Sequence, residues 1–392
     1  MDKFLYTDGS DVCLYDNGKI TKSKSKFIEN YKNTALNVER SRSWKHSGEG
    51  AQFRGDVRPG EDEISIAERI NGVYMTSDEA EAVYSFTVNQ TSGIYKMRFD
   101  DEKASEVHII NSIEYEFSGG CLDCASEMLA ISVKRNFCNS DIALFDMKSG
   151  DYKVITDGDT LDEDPFISPD DANIVYFSSR GTGRDGGGNF AGFSPAAICK
   201  LDIAALTVDE VAVSGKYGYI KPVFHGGKLY AIRIPAKEKG ANPLIEILLI
   251  PFRIIQAIVN FINVFVTFFT GKSLASGGSN PAKGRKYDSR EEFVKGNLIN
   301  AEKEMKKNAK KNKGDYGFIP LSWQLVEVGT GKVIKSGIAD YDILSDGTII
   351  ATNGRRVFAI KDGDCKKLAE AERCLCVAAK HESVKKTELF EF

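Results

Sequence analysis

A pair of short apolar runs recurs about every 45 residues along the chain, and this period limits the possible architecture most strongly. The first run of each pair begins at Val83, Met128, Ile174 and Leu229. The second run follows within about 10 to 20 residues, and most pairs end in a hairpin signal such as Asn-Gly, Ser-Gly or Asp-Gly. Both runs are rich in β-branched and aromatic residues, so each repeat is predicted to be a β-meander.

A meander of this length is the unit of a β-propeller, in which four-stranded blades pack face to face around a channel. The interval from Leu229 to Ile349 is more than twice the others, so one repeat contains an insertion. Without about 75 inserted residues the chain holds seven periods, one of them irregular, around residues 39–56. We therefore predict an all-β propeller of seven four-stranded blades, with six or eight also open, and an α-helical insertion in one blade. Residues 1–239 and 317–392 would form the propeller, and residues 240–316 the insertion.

The two ends of the chain predict how the propeller closes. FLYT, from Phe4, is typical of the second strand of a blade, whereas CLCVAAK, from Cys374, is typical of a first strand with no successor. A propeller must join its first and last blades to avoid an exposed sheet edge. We expect the two ends to complete one blade.

One repeat resembles a known family. The stretch EDPFISPDDANIVYFSSRGTG, Glu163 to Gly183, is similar to the WD40-like (PD40-type) repeats of TolB-like β-propellers, which read D-P-x-F-S-P-D-G, a strand, and S-x-R-x-G. The resemblance implies a propeller fold, with Ser168, Pro169 and Asp170 forming the turn between the first two strands of a blade. Asp171 stands where the family prefers Gly, and the other repeats lack the motif. The resemblance therefore concerns the fold and implies no activity.

The insertion begins with an apolar stretch. Between residues 244 and 269 all polar residues fall within a helical sector of about 100°. Pro251 and Gly271 suit a helix start and stop, and twenty helical residues between them would be about 30 Å long, enough to cross a bilayer. The flanking strands are expected in one blade, however, and residues 272–316 contain no second apolar run that could return. We expect the helix to lie flat on a membrane.

Residues 272–316 are basic, with twelve Lys and Arg against six Asp and Glu. Ser289 and Glu292 resemble a capping box, which predicts a second helix ending in a lysine cluster. An apolar helix beside a basic segment predicts peripheral binding to an anionic membrane surface. The alternatives are packing on the propeller, an unknown protein partner, or a second copy of the helix. The residues expected to make the contact are Leu244, Ile247, Ile255, Ile258, Ile262, Phe265, Phe269, Lys283, Arg285, Lys286, Lys306, Lys307, Lys310 and Lys311.

Charge and cysteine content indicate the environment. The formal net charge is −4, so nucleic acid is not an expected partner. The first residues lack the basic and apolar regions of a secretory signal, and the eight cysteines lie mostly in apolar runs where reduced thiols are expected. We expect a cytoplasmic protein, peripheral on the inner face of the membrane.

The residues that could carry chemistry lack the required spacing. The histidines at 46, 108, 225 and 381 show no metal-site pattern, and Cys121-x-x-Cys124 has no second pair. The acidic run 157–164 does not match a calcium loop. The resemblance to TolB-like repeats implies that its carboxylates ahead of the proline accept backbone hydrogen bonds between adjacent blades. The Gly181-x-Gly183-x-x-Gly186 pattern has no helix after it, which indicates a loop on one face.

These observations predict a non-catalytic scaffold or recognition module with no metal or cofactor. Two other functions remain open at this stage. The first is a lyase or hydrolase that uses the central face of the propeller and holds a metal through acidic residues. The second is a self-associating propeller in which the apolar helix forms the oligomer interface.

Overall fold

The computed structural model describes residues 3–43, 67–100, 105–188, 190–236, 291–311 and 317–384. Most of these residues lie in β-strands that pair antiparallel with their neighbours. Blade 1 contains β1 (Phe4–Asp8), β2 (Asp11–Asp16) and β3 (Lys19–Lys24). Blade 2 contains β4 (Glu68–Met75), β5 (Glu81–Val88), β6 (Thr91–Arg98) and β7 (Glu106–Ser112). Blade 3 contains β8 (Glu116–Asp123), β9 (Met128–Asn136), β10 (Asn139–Asp146) and β11 (Tyr152–Val154).

The later blades carry the additions to the repeat. Blade 4 contains β12 (Thr160–Ile167), β13 (Ile174–Arg184), β15 (Ala197–Asp202) and β16 (Thr207–Ala212), and the short β14 (Phe190–Phe193) pairs with the far end of β13. Blade 5 contains β17 (Tyr217–His225), β18 (Lys228–Pro235), β21 (Gln324–Glu327) and β22 (Val333–Ser336). Blade 6 contains β23 (Asp340–Ile343), β24 (Ile349–Thr352), β25 (Gly354–Lys361) and β26 (Asp364–Cys374).

The two chain ends complete blade 1, as predicted. The last strand, β27 (Val377–Ala378), pairs antiparallel with β1 through Leu5 with Ala378 and Tyr6 with Val377. The order of blade 1 is therefore β27-β1-β2-β3. Because β1 is covered on its inner side, the sheet has no open edge toward the channel.

The inner strands form a closed ring of six. These inner strands are, in order around the ring, β27, β4, β8, β12, β17 and β23. Each strand contacts the next one, and β23 contacts β27 to close the ring. The prediction of seven blades is not confirmed by the described part of the chain. Four of the six repeats described are separate four-stranded sheets, whereas blades 3 and 4 are joined into one nine-stranded sheet by a parallel pair between Ser140 of β10 and Leu161 of β12. The irregular unit predicted around residues 39–56 starts within helix α1 (Lys26–Ser43), and residues 44–66 lie outside the described ranges.

Helix α1 forms because the sequence after β3 caps and anchors it. The Ser25 Oγ accepts a hydrogen bond from the Ile28 amide at 3.2 Å, as an N-cap residue does. Phe27 packs against Phe86 and Tyr95 of blade 2, with ring centroids 5.2 and 5.1 Å away. The apolar first turn therefore extends the core of blade 2 instead of adding a strand.

The turn implied by the TolB-like motif is present. Ser168 to Asn173 connect β12 to β13, the Ser168 amide donates to the Ile174 carbonyl at 2.8 Å, and the Ile174 amide donates to the Asp171 carbonyl at 2.9 Å. The first two strands of blade 4 are thus joined where the motif indicated.

The insertion lies in blade 5, between β18 and β21, which pair with each other as predicted. Its described part corrects one prediction: residues 291–300 form a hairpin, β19 (Glu291–Val294) and β20 (Asn297–Asn300), and helix α2 (Ala301–Lys311) starts only afterwards. Lys295 and Gly296 have φ values of 46° and 76°, which favour a tight hairpin turn. The Asn300 side chain, which accepts the Lys303 amide at 2.9 Å, caps α2. Ser289 lies outside the described residues.

The six inner strands run in the same direction and give the propeller two distinct faces. We call the face where they begin, near Arg69, Glu116 and Asp164, the start face, and the face where they end, near Met75 and His225, the end face. Strand β18 ends and β21 begins at the start face, because both run antiparallel to their inner neighbour. The insertion therefore leaves and returns at the start face.

We expect Val377→Pro to destabilise the propeller by about 3 kcal/mol or more, because proline removes an amide and restricts the backbone. The Val377 amide donates to Asp340 Oδ2 at 2.9 Å, which joins β27 to blade 6. Chemical denaturation measures the change. Val377→Ala keeps the amide and serves as the control. Equal stability of the two variants would contradict a role of this hydrogen bond in closure.

Candidate functional site

Charged side chains from three blades and the insertion meet inside the channel. Asp164 of β12, Asp340 and Asp342 of β23 are buried, and Lys221 of β17 and Lys295 of the insertion are largely buried. The Lys295 Nζ donates to Asp164 Oδ1 at 2.5 Å, and the Lys221 Nζ lies 3.7 Å from Asp340 Oδ1. The two ammonium groups pair with two of the three carboxylates, so the buried charges are partly compensated.

β-Bulges aim these side chains into the channel. Asp164 and Lys221 each precede a proline, have φ values of 53° and 52°, and lie where the register of their strand shifts. A bulge redirects a side chain, and proline within a sheet is tolerated there. Gly119 of β8 sits at the corresponding bulge with φ 53°, and a Cβ on it would lie 2.5 Å from Asp164 Oδ1. Glycine at this position leaves room for the Asp164 carboxylate.

The electrostatics follow from burial and from the partners. Burial alone would raise the pKa of Asp164, but the Lys295 and Lys221 ammonium groups lower it below the ordinary value. Burial dominates at Asp340, whose pKa is raised despite the same two lysines. Burial alone would lower the pKa of Lys221. The Asp340 and Asp164 carboxylates raise this pKa by more than burial lowers it, so the ammonium stays protonated. The arrangement of these described residues is an ion-pair network.

The end of the hairpin β19–β20 occupies the start-face mouth of the channel. Val294 and Ile299 are buried in the core shared with blades 3 to 6, and Lys295 reaches Asp164 from the turn. Glu292 forms a 2.9 Å ion pair with Arg373 at the end of β26. The insertion is therefore docked on the propeller at several points.

The end-face mouth is open and forms a cavity of about 600 Å³. Apolar side chains such as Met75 and Leu344 line it together with His225 and His381. Ion pairs border it, among them Lys3 with Glu79 at 3.3 Å. The His381 Nε2 lies 2.8 Å from Asp342 Oδ2, which connects this cavity to the buried network. Such a mixed lining suits a polar ligand or a segment of polypeptide.

Four predicted membrane-contact residues are described. Lys306, Lys307, Lys310 and Lys311 are all exposed on α2, at the start face. Lys306 pairs with Glu302, and Lys307 pairs with Glu304 at 3.1 Å.

The other predicted contacts lie outside the described residues. They are Leu244, Ile247, Ile255, Ile258, Ile262, Phe265, Phe269, Lys283, Arg285 and Lys286.

Helix α2 is anchored by a buried amide. The Asn308 Nδ2 donates to the carbonyl oxygens of Gly317 at 2.7 Å and Ile319 at 2.9 Å. Met305 packs against the core on the same side of the helix. This contact holds the opposite face of α2, with its lysines, toward solvent.

The histidines and cysteines do not combine into a metal site within the described ranges, where no group of three potential ligands occurs. His225 and His381 both line the end-face cavity, His108 lies on β7 of blade 2, and His46 is outside these ranges. All eight cysteines are free thiols. Burial raises the pKa of Cys13 to about 11 and that of Cys124 to about 12, which keeps both thiols protonated and unreactive.

The acidic run and the glycine-rich loop also have structural roles. In the acidic run, Asp164 binds Lys295 and Asp159 binds Arg184. The backbone bonds expected between blades are instead accepted by Asp340, from Val377, and by Asp342, from the Ala379 amide at 2.8 Å. The Gly181 to Gly188 segment forms the hairpin of β13 and β14 at the start face, in agreement with a face loop.

Comparisons with known proteins concern the architecture. No protein-family model and no curated protein matches the sequence. TolB from Acinetobacter baumannii is similar with a TM-score of 0.46 and 12% identity, over 97% of this chain and 67% of that chain. The propeller of a nidogen–laminin complex scores 0.43 at 8% identity, over 96% and 97% of the two chains. Tricorn protease scores 0.41 at 13% identity, and this chain covers 36% of it. Strand pairing and ring closure define the class of the protein, a β-propeller, and blade 4 carries a TolB-like turn.

We expect Lys295→Met to lower the free energy of unfolding by about 3 kcal/mol, because the variant leaves the Asp164 carboxylate buried without its closest cation. Thermal and urea denaturation measure the loss. The double variant Lys295→Met/Asp164→Asn removes both charges and should recover most of the stability. If the double variant is less stable than Lys295→Met, the ion pair is not what holds the hairpin in the channel.

Proposed function

We propose that this protein is a non-catalytic β-propeller, a scaffold or recognition module, attached peripherally to an anionic membrane surface by residues 240–316. The observation that carries the proposal is the position of the insertion. It leaves β18 and returns to β21, two paired strands of one blade, and both ends lie at the start face. Among the helices that the structure describes, none is long and apolar enough to cross a membrane.

Helix α2 supports the basic half of the attachment. Lys303, Lys306, Lys307, Lys310 and Lys311 are exposed along a helix whose other side is fixed by Asn308. A basic residue near an anionic surface contributes about 1 kcal/mol to binding. The glutamates at 302 and 304 reduce this attraction but leave a net positive helix. The apolar pattern of residues 244–269 would supply the second signal that stable attachment requires.

The two faces would then have different roles. The start face would meet the inner leaflet of the cytoplasmic membrane, and the end-face cavity would point away from it. A cavity with apolar walls and paired charges at the rim suits recognition of a protein segment. We propose that the partner, whose identity is open, binds at the end face.

The test is vesicle flotation of the full chain. We expect Lys306, Lys307, Lys310 and Lys311, when replaced together by Gln, to weaken binding to vesicles with phosphatidylserine at least tenfold, as several basic residues each contribute about 1 kcal/mol. The difference should shrink as salt is added.

The matched control changes four exposed lysines of the end face, Lys19, Lys148, Lys228 and Lys332, to Gln. This variant has the same net charge and should bind as the unmodified protein does. Failure of the unmodified protein to float, or an equal loss in both variants, would contradict attachment by the start face.

A further inference from the structure

Three phenylalanines form an exposed cluster at the start face, away from the insertion. Phe137 lies in the turn between β9 and β10, and Phe190 and Phe193 lie on β14. Their ring centroids are 5.4 Å (Phe137 to Phe190), 5.6 Å (Phe137 to Phe193) and 4.8 Å (Phe190 to Phe193) apart. Phe137 is 61% exposed and Phe190 42% exposed. We name these residues the aromatic cluster.

The aromatic cluster is held in place by a contact between two blades. Strand β13 continues beyond the body of its sheet and pairs there with β14. The Thr182 Oγ1 in this extension donates to the Cys138 carbonyl at 2.7 Å, beside Phe137. The extension therefore presents the three rings together beyond the edge of the propeller.

Other exposed apolar side chains lie on the same face. Ile113, at the end of β7, is 79% exposed, and Val213, after β16, is 64% exposed. Exposed apolar side chains also occur toward the end face, among them Val107 and Leu206. What distinguishes the aromatic cluster is that its three rings are in mutual contact and form one patch. An exposed apolar patch marks a site of interaction with a membrane or a partner.

Charges around the aromatic cluster are compensated. Arg184 binds Asp159 through two hydrogen bonds of 2.5 and 2.7 Å, and the Arg135 Nε lies 3.1 Å from Asp141 Oδ2. The cluster thus differs from α2, whose lysines outnumber its acids. Its binding would come from apolar burial, which salt does not screen.

We infer that the aromatic cluster is a second, charge-independent contact of the start face with the lipid interface. This inference rests on the proposed membrane attachment. A lipid surface is the occupant that fits, because the insertion and α2 lie on the same face and a membrane is broad enough to meet all of them at once. Phenylalanine side chains on a membrane-bound surface insert at the boundary between headgroups and acyl chains.

The test compares Phe137/Phe190/Phe193→Ser with Ile20/Val107/Leu206→Ser, a control with exposed apolar residues toward the end face. Flotation uses phosphatidylcholine vesicles with and without phosphatidylserine, at low and high salt. We expect the aromatic variant to bind about tenfold more weakly in both kinds of vesicle, from the lost apolar burial. The loss should be the same at both salt concentrations, and the control should bind normally.

The outcomes separate this inference from the proposed function. If the α2 lysine variant loses binding and the aromatic variant does not, the inference is wrong and the attachment stands. If the unmodified protein ignores all vesicles, both are wrong. A loss that disappears at high salt, or a dimer that only the aromatic variant fails to form, would also overturn the inference.

A second readout does not require the triple variant to fold. In Phe137→Trp the new indole should be quenched by brominated lipid more strongly than the two tryptophans of the unmodified protein. Equal quenching would place Phe137 away from the lipid and overturn the inference.

Discussion

The pairing of the two chain ends is the constraint on which the rest of this propeller depends. Strand β27 lies between β1 and the channel, and the amides of Val377 and of Ala379, which follows the strand, donate to carboxylates of blade 6. Without it, blade 1 would expose an inner edge, and the channel would lose one wall. Because the ring is closed, side chains from distant parts of the sequence meet at its centre in a fixed arrangement.

Closure also explains how charge is accommodated inside the channel. Three carboxylates and two ammonium groups come from blades 4, 5 and 6 and from the insertion. No single blade could neutralise its own charge, since Asp164 faces Lys295 and Lys221 faces Asp340. The hairpin of the insertion thereby becomes part of the propeller, although it enters the sequence as an interruption of blade 5. Within the described part of the chain, the hairpin fills the start-face mouth of the channel and the end-face mouth forms a cavity.

The period of the apolar runs and the strand-like sequences at the two chain ends were sufficient to predict the propeller, its closure and the blade that carries the insertion. These features depend on local strand patterns. The number of blades is not confirmed: residues 26–43 have a capped, apolar first turn and form α1, so the described part of the predicted seventh unit contributes no strand. The hairpin at 291–300 was not predicted. Ser289 and Glu292 resemble a helix capping box, and this signal outweighed the weaker turn signal of Lys295-Gly296. The channel charges were missed as a group because only folding brings them together. One local signal was available: Asp164 and Lys221 both precede proline in corresponding strands.

Peripheral attachment as proposed requires that the start face meets the membrane and the end face does not. Hydrogen–deuterium exchange of the full chain, with and without vesicles containing phosphatidylserine, tests it directly. Attachment as proposed predicts slower exchange in α2 and at the tip of the hairpin formed by β13 and β14, with no change around Leu344 and His381 at the end face. Slower exchange at the end face, or no change in either region, would contradict it.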